Sequence, residues 1–187
     1  MSCSINHRLN KSVLKLAAHS PKVCDVNGNI FGSGYIAECI KNAKKFYSMK
    51  EIWIVDLILS NGLRVSEVLD IRQKDIVNDR TVRIRGKKGS KDRVCMLLYS
   101  DGLDSFKSDS EDLLFDGLSR YYVYRFFKRL GIIFAIPGQQ KNAVTHAGRH
   151  VRIQTLAQAG IELNTIKEYI GHKSVRSTMH YAKGKNK

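Results

Sequence analysis

The chain has 187 residues, 43% of them hydrophobic, with two prolines and a formal charge of +15 from 32 Lys plus Arg against 17 Asp plus Glu. That length is enough for one domain with a sizeable core, and the composition excludes a disordered chain. Four scattered cysteines (Cys3, Cys24, Cys39 and Cys95) fit neither a zinc site nor a disulfide framework, and the longest apolar run, IWIVDLIL at 52–59, is too short to span a bilayer.

HRLNKSVLKLAAHS (7–20) predicts a first helix, closed by Pro21 and a turn-rich stretch. Helical periodicity returns at 34–48 and 50–60. Asn61-Gly62 breaks it, and LRVSEVLDI restarts it. The period then changes to two. TVRIRG (81–86) and DRVCMLL (92–98) alternate around the turn KKGSK, which spells a β-hairpin. The acid-rich stretch 101–116 follows as a surface connection. SRYYVYRFFKRLG (119–131) predicts an aromatic-rich helix, and three more helical pieces are expected at 145–159, 162–170 and 174–181, separated by Gly160 and Gly171. The fold class is therefore α+β, mostly helical with one small antiparallel sheet.

The positive charge is uneven. Residues 72–93 hold nine basic and three acidic side chains, and residues 139–187 hold nine against two. Such surfaces suit a polyanion, of which nucleic acid is the commonest. With no leader or span visible, the expected location is the cytoplasm, on the nucleoid when DNA is bound.

Single motifs say little. Arg64 and Glu67 stand three apart on a helix face, a spacing more common in surface ion pairs. His146 and Arg149 in THAGRH share the same spacing. A lysine at the tip of the hairpin is usually a solvated turn residue, although both strands would project it toward a phosphate.

Together the motifs are specific. NGLRVSE (61–67), GKKGSKDR (86–93), HAGRH (146–150), IGH (170–172) and Tyr181, nine residues after His172, stand in the order and spacing of the tyrosine recombinases, also called the phage-integrase family. The resemblance covers roughly residues 34–181. It implies the DNA breaking-rejoining catalytic fold over 34–187, with 1–33 as an N-terminal helical extension, similar in extent to the short fimbrial-switch invertases.

The implied activity is site-specific recombination through a 3′-phosphotyrosine. Arg64 and Arg149 would clamp the scissile phosphate, His146 and His172 would add donors, and His146 could also take the tyrosine proton. Tyr181 would attack, and Glu67 would brace Arg64. The resemblance puts Lys88 in the place of the general acid, with Lys87 and Lys91 as alternatives because the turn carries one extra residue.

The chemistry agrees. Attack at phosphorus gathers negative charge on the non-bridging oxygens, and guanidinium forks match phosphate oxygens two at a time. The phosphotyrosine keeps the energy of the broken bond, so no cofactor or metal is expected. Expected partners are double-stranded DNA, further copies of the chain or a second recombinase on that DNA, and an accessory DNA-bending protein. Type IB topoisomerases share the chemistry, and a non-catalytic DNA-binding remnant would share the charge.

Two departures stand out. Gly148 takes the place of an apolar residue before Arg149, which costs the helix about 1 kcal/mol and is expected to leave a small gap beside the arginine. Only 33 residues precede the match and six follow Tyr181, so neither the N-terminal DNA-clamping domain nor the tail helix of many relatives is expected within this sequence.

Overall fold

The structure is a computed structural model that describes residues 23–24, 47–87, 90–129, 133–134, 148–149, 152–153, 155–157 and 159–182. The helices expected at 7–20 and across most of 34–48 lie outside the described residues, as do Lys88 and His146.

The core is organised around one helix. Helix α1, Met49–Leu59, starts at a reciprocal cap: the Ser48 backbone N–H donates to Glu51 Oε2 at 2.9 Å, and the Glu51 N–H donates to Ser48 Oγ at 3.4 Å. From Ile52 to Leu59 every side chain is buried, as befits a helix apolar on all sides. The exception in kind is Asp56. Burial pushes its carboxyl pKa up, while Oδ2 accepts N–H bonds from Leu98 at 2.6 Å and Tyr99 at 3.0 Å. Those bonds pin the end of the sheet to the middle of the helix.

After the break at Asn61-Gly62, helix α2 is only four residues, Val65–Val68. Strands β2 (Ile76–Asn78), β3 (Thr81–Ile84) and β4 (Arg93–Met96) then form an antiparallel sheet in the order β2-β3-β4, with Val82 opposite Cys95 and Ile84 opposite Arg93. Val82, Ile84, Cys95 and Leu97 turn inward. Val94, Met96 and Leu98 turn outward at 60%, 58% and 58% exposure.

The acid-rich connection is more than a surface link. Leu103, Leu114 and Phe115 enter the core, the Leu114 N–H donates to Ile71 O at 2.8 Å, and Glu111 pairs with Arg72 and Lys74. Helix α3, Arg120–Arg129, buries Val123, Phe126 and Phe127.

A second sheet was not expected. Strand β1, Val23–Cys24, pairs antiparallel with β5, Ile133–Phe134, two residues each. Strands this short carry no readable alternation, and their partners are far apart in sequence.

Helical backbone at 148–149, 152–153 and 155–157 is followed by α4 (Leu163–Ile170) and α5 (Val175–Ala182). Ile153, Ile166 and Ile170 form a small second cluster. Tyr169 fastens α4 to the end of α1: its hydroxyl donates to Ser60 O at 3.1 Å, and Arg152 lies over its ring.

The expected gap at Gly148 does not exist. A Cβ there would stand 2.6 Å from Ile58 Cγ2 and 2.7 Å from Ile58 O, so the glycine lets the Arg149 segment lie directly against α1. Gly148→Ala should therefore destabilise the fold. It gains about 1 kcal/mol of helix propensity, but overpacking costs about 1–3 kcal/mol or more, and a backbone oxygen cannot rotate away. A lowered urea midpoint is the expected result; a raised one would mean the contact is loose.

Candidate active site

The site is assembled by short pieces of backbone. At the start of α2 the Arg64 N–H donates to Glu67 Oε2 at 2.9 Å, which fixes the glutamate one turn away. Its side chain is fully buried, and three guanidinium groups converge on it. Arg64 Nη1 reaches Oε1 at 3.2 Å, Arg93 Nη2 reaches Oε2 at 3.0 Å, and Arg149 Nη1 reaches Oε2 at 3.2 Å.

Arg149 is 1% exposed and tightly held. Its Nη1 also donates to Gly62 O, its Nη2 to Ile170 O, and its Nε to His172 Nε2 at 3.2 Å. Arg64 is the most open of the three at 19% side-chain exposure, and its Nη1 also donates to the hydroxyl of buried Ser90.

His172 owes its place to a glycine. Gly171 closes α4 in the left-handed conformation, φ 74°, with its N–H bonded to Glu168 O and the His172 N–H bonded to Lys167 O at 2.9 Å. A side chain at 171 would also strike Arg93, whose Nη1 lies 2.9 Å from a Cβ built there. The Lys91 N–H donates to Gly171 O at 2.9 Å, and Ser90 forms a bridge with His172, so the hairpin's return arm is tied to this turn.

The Nε2 of His172 accepts from Arg149, so its proton sits on Nδ1, which faces the hydroxyl of buried Thr178 at 3.0 Å. In this arrangement His172 orients Arg149.

The charges set the protonation states. Burial alone would raise the Glu67 carboxyl, but the hydrogen bond and charge of Arg93, the Arg64 N–H and the charge of Arg149 hold it at about 2. Burial, then the charges of Arg149, Arg64 and Arg93, holds the His172 imidazole at about 4, against a smaller upward pull from Glu67. Glu67 is thus ionised and His172 neutral near pH 7.

Four of the seven residues singled out from the sequence, Arg64, Glu67, Arg149 and His172, are brought into one cluster. Tyr181 is described by its backbone, on α5 three residues beyond Thr178. Sequence reasoning missed Arg93, Ser90 and Thr178. None of the three left a signal: Arg93 falls on the side of the alternating strand with Cys95 and Leu97, the less apolar of its two faces. Among the described residues no group of three or more His, Cys, Asp or Glu is placed to hold a metal ion, and no helix is long and apolar enough to cross a membrane.

Comparison with known proteins shows the family. The phage integrase family matches residues 36–187. The chain belongs to that family. Tyrosine recombinase XerA of Thermococcus kodakarensis is 33% identical over 147 residues, which are 70% of this chain and 49% of XerA. The catalytic domain of bacteriophage HP1 integrase has a similar fold, with a TM-score of 0.59 at 22% identity, covering 81% of this chain and 85% of that domain. The XerH recombinase bound to its difH substrate before cleavage gives 0.57 at 22%, covering 81% and 49%. This phage integrase family chain spans about half the length of the curated relatives it matches.

The two shifted groups predict an acid response in two stages. Both folded values lie below the ordinary ones, 6.5 for His172 and 4.5 for Glu67, so the unfolded chain binds more protons in each window. Stability falls first as pH drops from 6.5 toward 4, and again from 4.5 toward 2. Glu67→Gln should cost about 3–5 kcal/mol at pH 7, because it leaves buried guanidinium groups without their anion. That gap should close as pH falls through the lower window. Urea unfolding across pH 7 to 2.5 reads both; a constant gap would mean Glu67 is not the ionised hub.

Proposed function

We propose that this chain is the catalytic part of a site-specific DNA recombinase that cuts and rejoins duplex DNA through a 3′-phosphotyrosine. The single observation that carries this reading is the Glu67 cluster. Among the described residues, three guanidinium groups are held around one buried carboxylate, so positive charge outnumbers negative in the cluster, with His172 neutral. A phosphodiester attacked by a phenolate acquires two negative charges in its five-coordinate transition state. Fixed cationic donors stabilise such a state without reorganising.

The roles follow from this. Arg64, the most open guanidinium, meets a non-bridging phosphate oxygen first. Arg149 backs it, oriented by Glu67 and His172. Tyr181 Oη attacks phosphorus, its proton passing to His146, and the P–O5′ bond breaks. Lys88 gives the leaving 5′-oxygen its proton. Tyr181 lies one helical turn from Thr178, which puts its Cα on the face of α5 that carries Thr178 to His172. Both alternatives to Lys88 are engaged elsewhere: Lys87 Nζ is 2.9 Å from Asp70 and Lys91 Nζ is 3.2 Å from Glu168.

Duplex DNA is the substrate class, and self-association on it is expected. The XerH structure contains its difH substrate, and a λ integrase structure of similar fold is a dimer on a core site. Nothing specific favours DNA relaxation over strand exchange. Accessory DNA-bending proteins belong to the same reading.

Two experiments test it. Tyr181→Phe should abolish covalent protein–DNA complexes that survive denaturant, while duplex binding stays nearly unchanged and falls steeply with salt. A denaturant-resistant complex in that variant would exclude Tyr181 as nucleophile. Separately, Lys88→Ala should be slow on ordinary DNA and largely rescued when the 5′-bridging oxygen is sulphur, because a thiolate leaves without a proton. Rescue of Lys87→Ala or Lys91→Ala instead would move the role to that lysine.

A further inference from the structure

Arg93 is the guanidinium of the cluster that the roles above leave without a task. Its side chain is 7% exposed. Its Nη2 lies 3.0 Å from Glu67 Oε2 and its Nη1 3.4 Å from Oε1, so its fork spans both carboxylate oxygens. The side chains of Arg64 and Arg149 each reach one oxygen only, Oε1 and Oε2 respectively. Arg93 Nη1 also donates to Lys91 O at 3.3 Å, and the side chain packs against Gly171, next to His172.

The last torsion of a glutamate is soft; the Arg64 N–H and Arg149 hold Oε2 and Arg64 Nη1 holds Oε1, each by a single hydrogen bond that leaves the carboxylate plane free to tilt. A planar two-pronged partner removes that freedom. We propose that Arg93 is a positioning residue, which fixes the plane of the Glu67 carboxylate and through it the aim of Arg64 and Arg149. Among the described residues the Nε of Arg93 is buried without a hydrogen-bond partner. The inference rests on the phosphoryl-transfer reading above.

Arg93→Lys keeps a positive charge and an aliphatic stem but loses the fork; Arg93→Gln loses the charge as well. The test is single-turnover cleavage of a labelled, nicked duplex by the parent, both variants, Glu67→Gln, and the Glu67→Gln/Arg93→Gln double variant, with duplex affinity measured in parallel. Misplaced groups slow reactions on the order of tenfold to a hundredfold. The expected result is such a loss in Arg93→Lys with duplex affinity within about twofold of the parent. The double variant should be no slower than Glu67→Gln alone, because Arg93 acts through Glu67.

Parent-like cleavage by Arg93→Lys, or losses that multiply in the double variant, would overturn the proposal. So would unfolding of both single variants at the assay temperature, which would make the role a general structural one. If the parent itself forms no covalent complex, the phosphotyrosine reading fails, and the positioning role is decided by side-chain Nε–H spectra. Arg93→Lys must then move the Arg64 and Arg149 signals while leaving that of Arg125, on α3, in place; unmoved Arg64 and Arg149 signals overturn it.

Discussion

The buried carboxylate of Glu67 ties together three parts of the chain that are far apart in sequence. Arg64 comes from the start of α2, Arg93 from β4 and Arg149 from the helical stretch after α3. Removing charges from water is costly, and clusters of this kind are seldom the most stable use of core volume. The cost is tolerable here because each guanidinium has several acceptors: carbonyls of Gly62 and Ile170 for Arg149, the Ser90 hydroxyl for Arg64, the Lys91 carbonyl for Arg93. Among the described residues, what remains is a cluster in which oriented positive charge outnumbers negative.

The surrounding fold supplies the precision. Helix α1 is the solid body against which everything is located. Gly148 lets the Arg149 segment touch it at Ile58, Asp56 ties the sheet to it, and Tyr169 fastens α4 to its end. Gly171 does the same on a smaller scale by turning the chain sharply so that His172 faces Arg149. Two glycines with quite different tasks, close approach in one case and a left-handed turn in the other, decide where two of the four clustered residues stand.

Much of this was legible in the sequence. Helices at 49–59, 120–129, 163–170 and 175–182 follow the periodicity and the Asn-Gly or Gly stops expected for them, and the hairpin strands 81–84 and 93–96 lie inside the alternating runs. Strand β2 and the β1–β5 pair were not legible, because two or three residues are too few to show a period. Facing was the harder matter. In DRVCMLL the more apolar set is Val94, Met96 and Leu98, yet these turn to solvent while Arg93, Cys95 and Leu97 turn inward. The pull of Glu67 on Arg93 outweighs the pattern. Gly148 misled for a related reason: its value lies in what it touches, and Ile58 is ninety residues away in the chain.

The outward turn of β4 has a consequence for how this protein behaves in bulk. It leaves an apolar strip on a strand at the edge of its sheet, the kind of surface that sticks to its own copies. A formal charge of +15 opposes that by mutual repulsion. Repulsion reaches about 10 Å at 0.1 M salt but only about 3 Å at 1 M, and strong salt is also what strips nucleic acid from a basic protein. The chain therefore has a colloidal window bounded on both sides: co-precipitation with polyanions when salt is too low, and strand-to-strand clumping when it is too high.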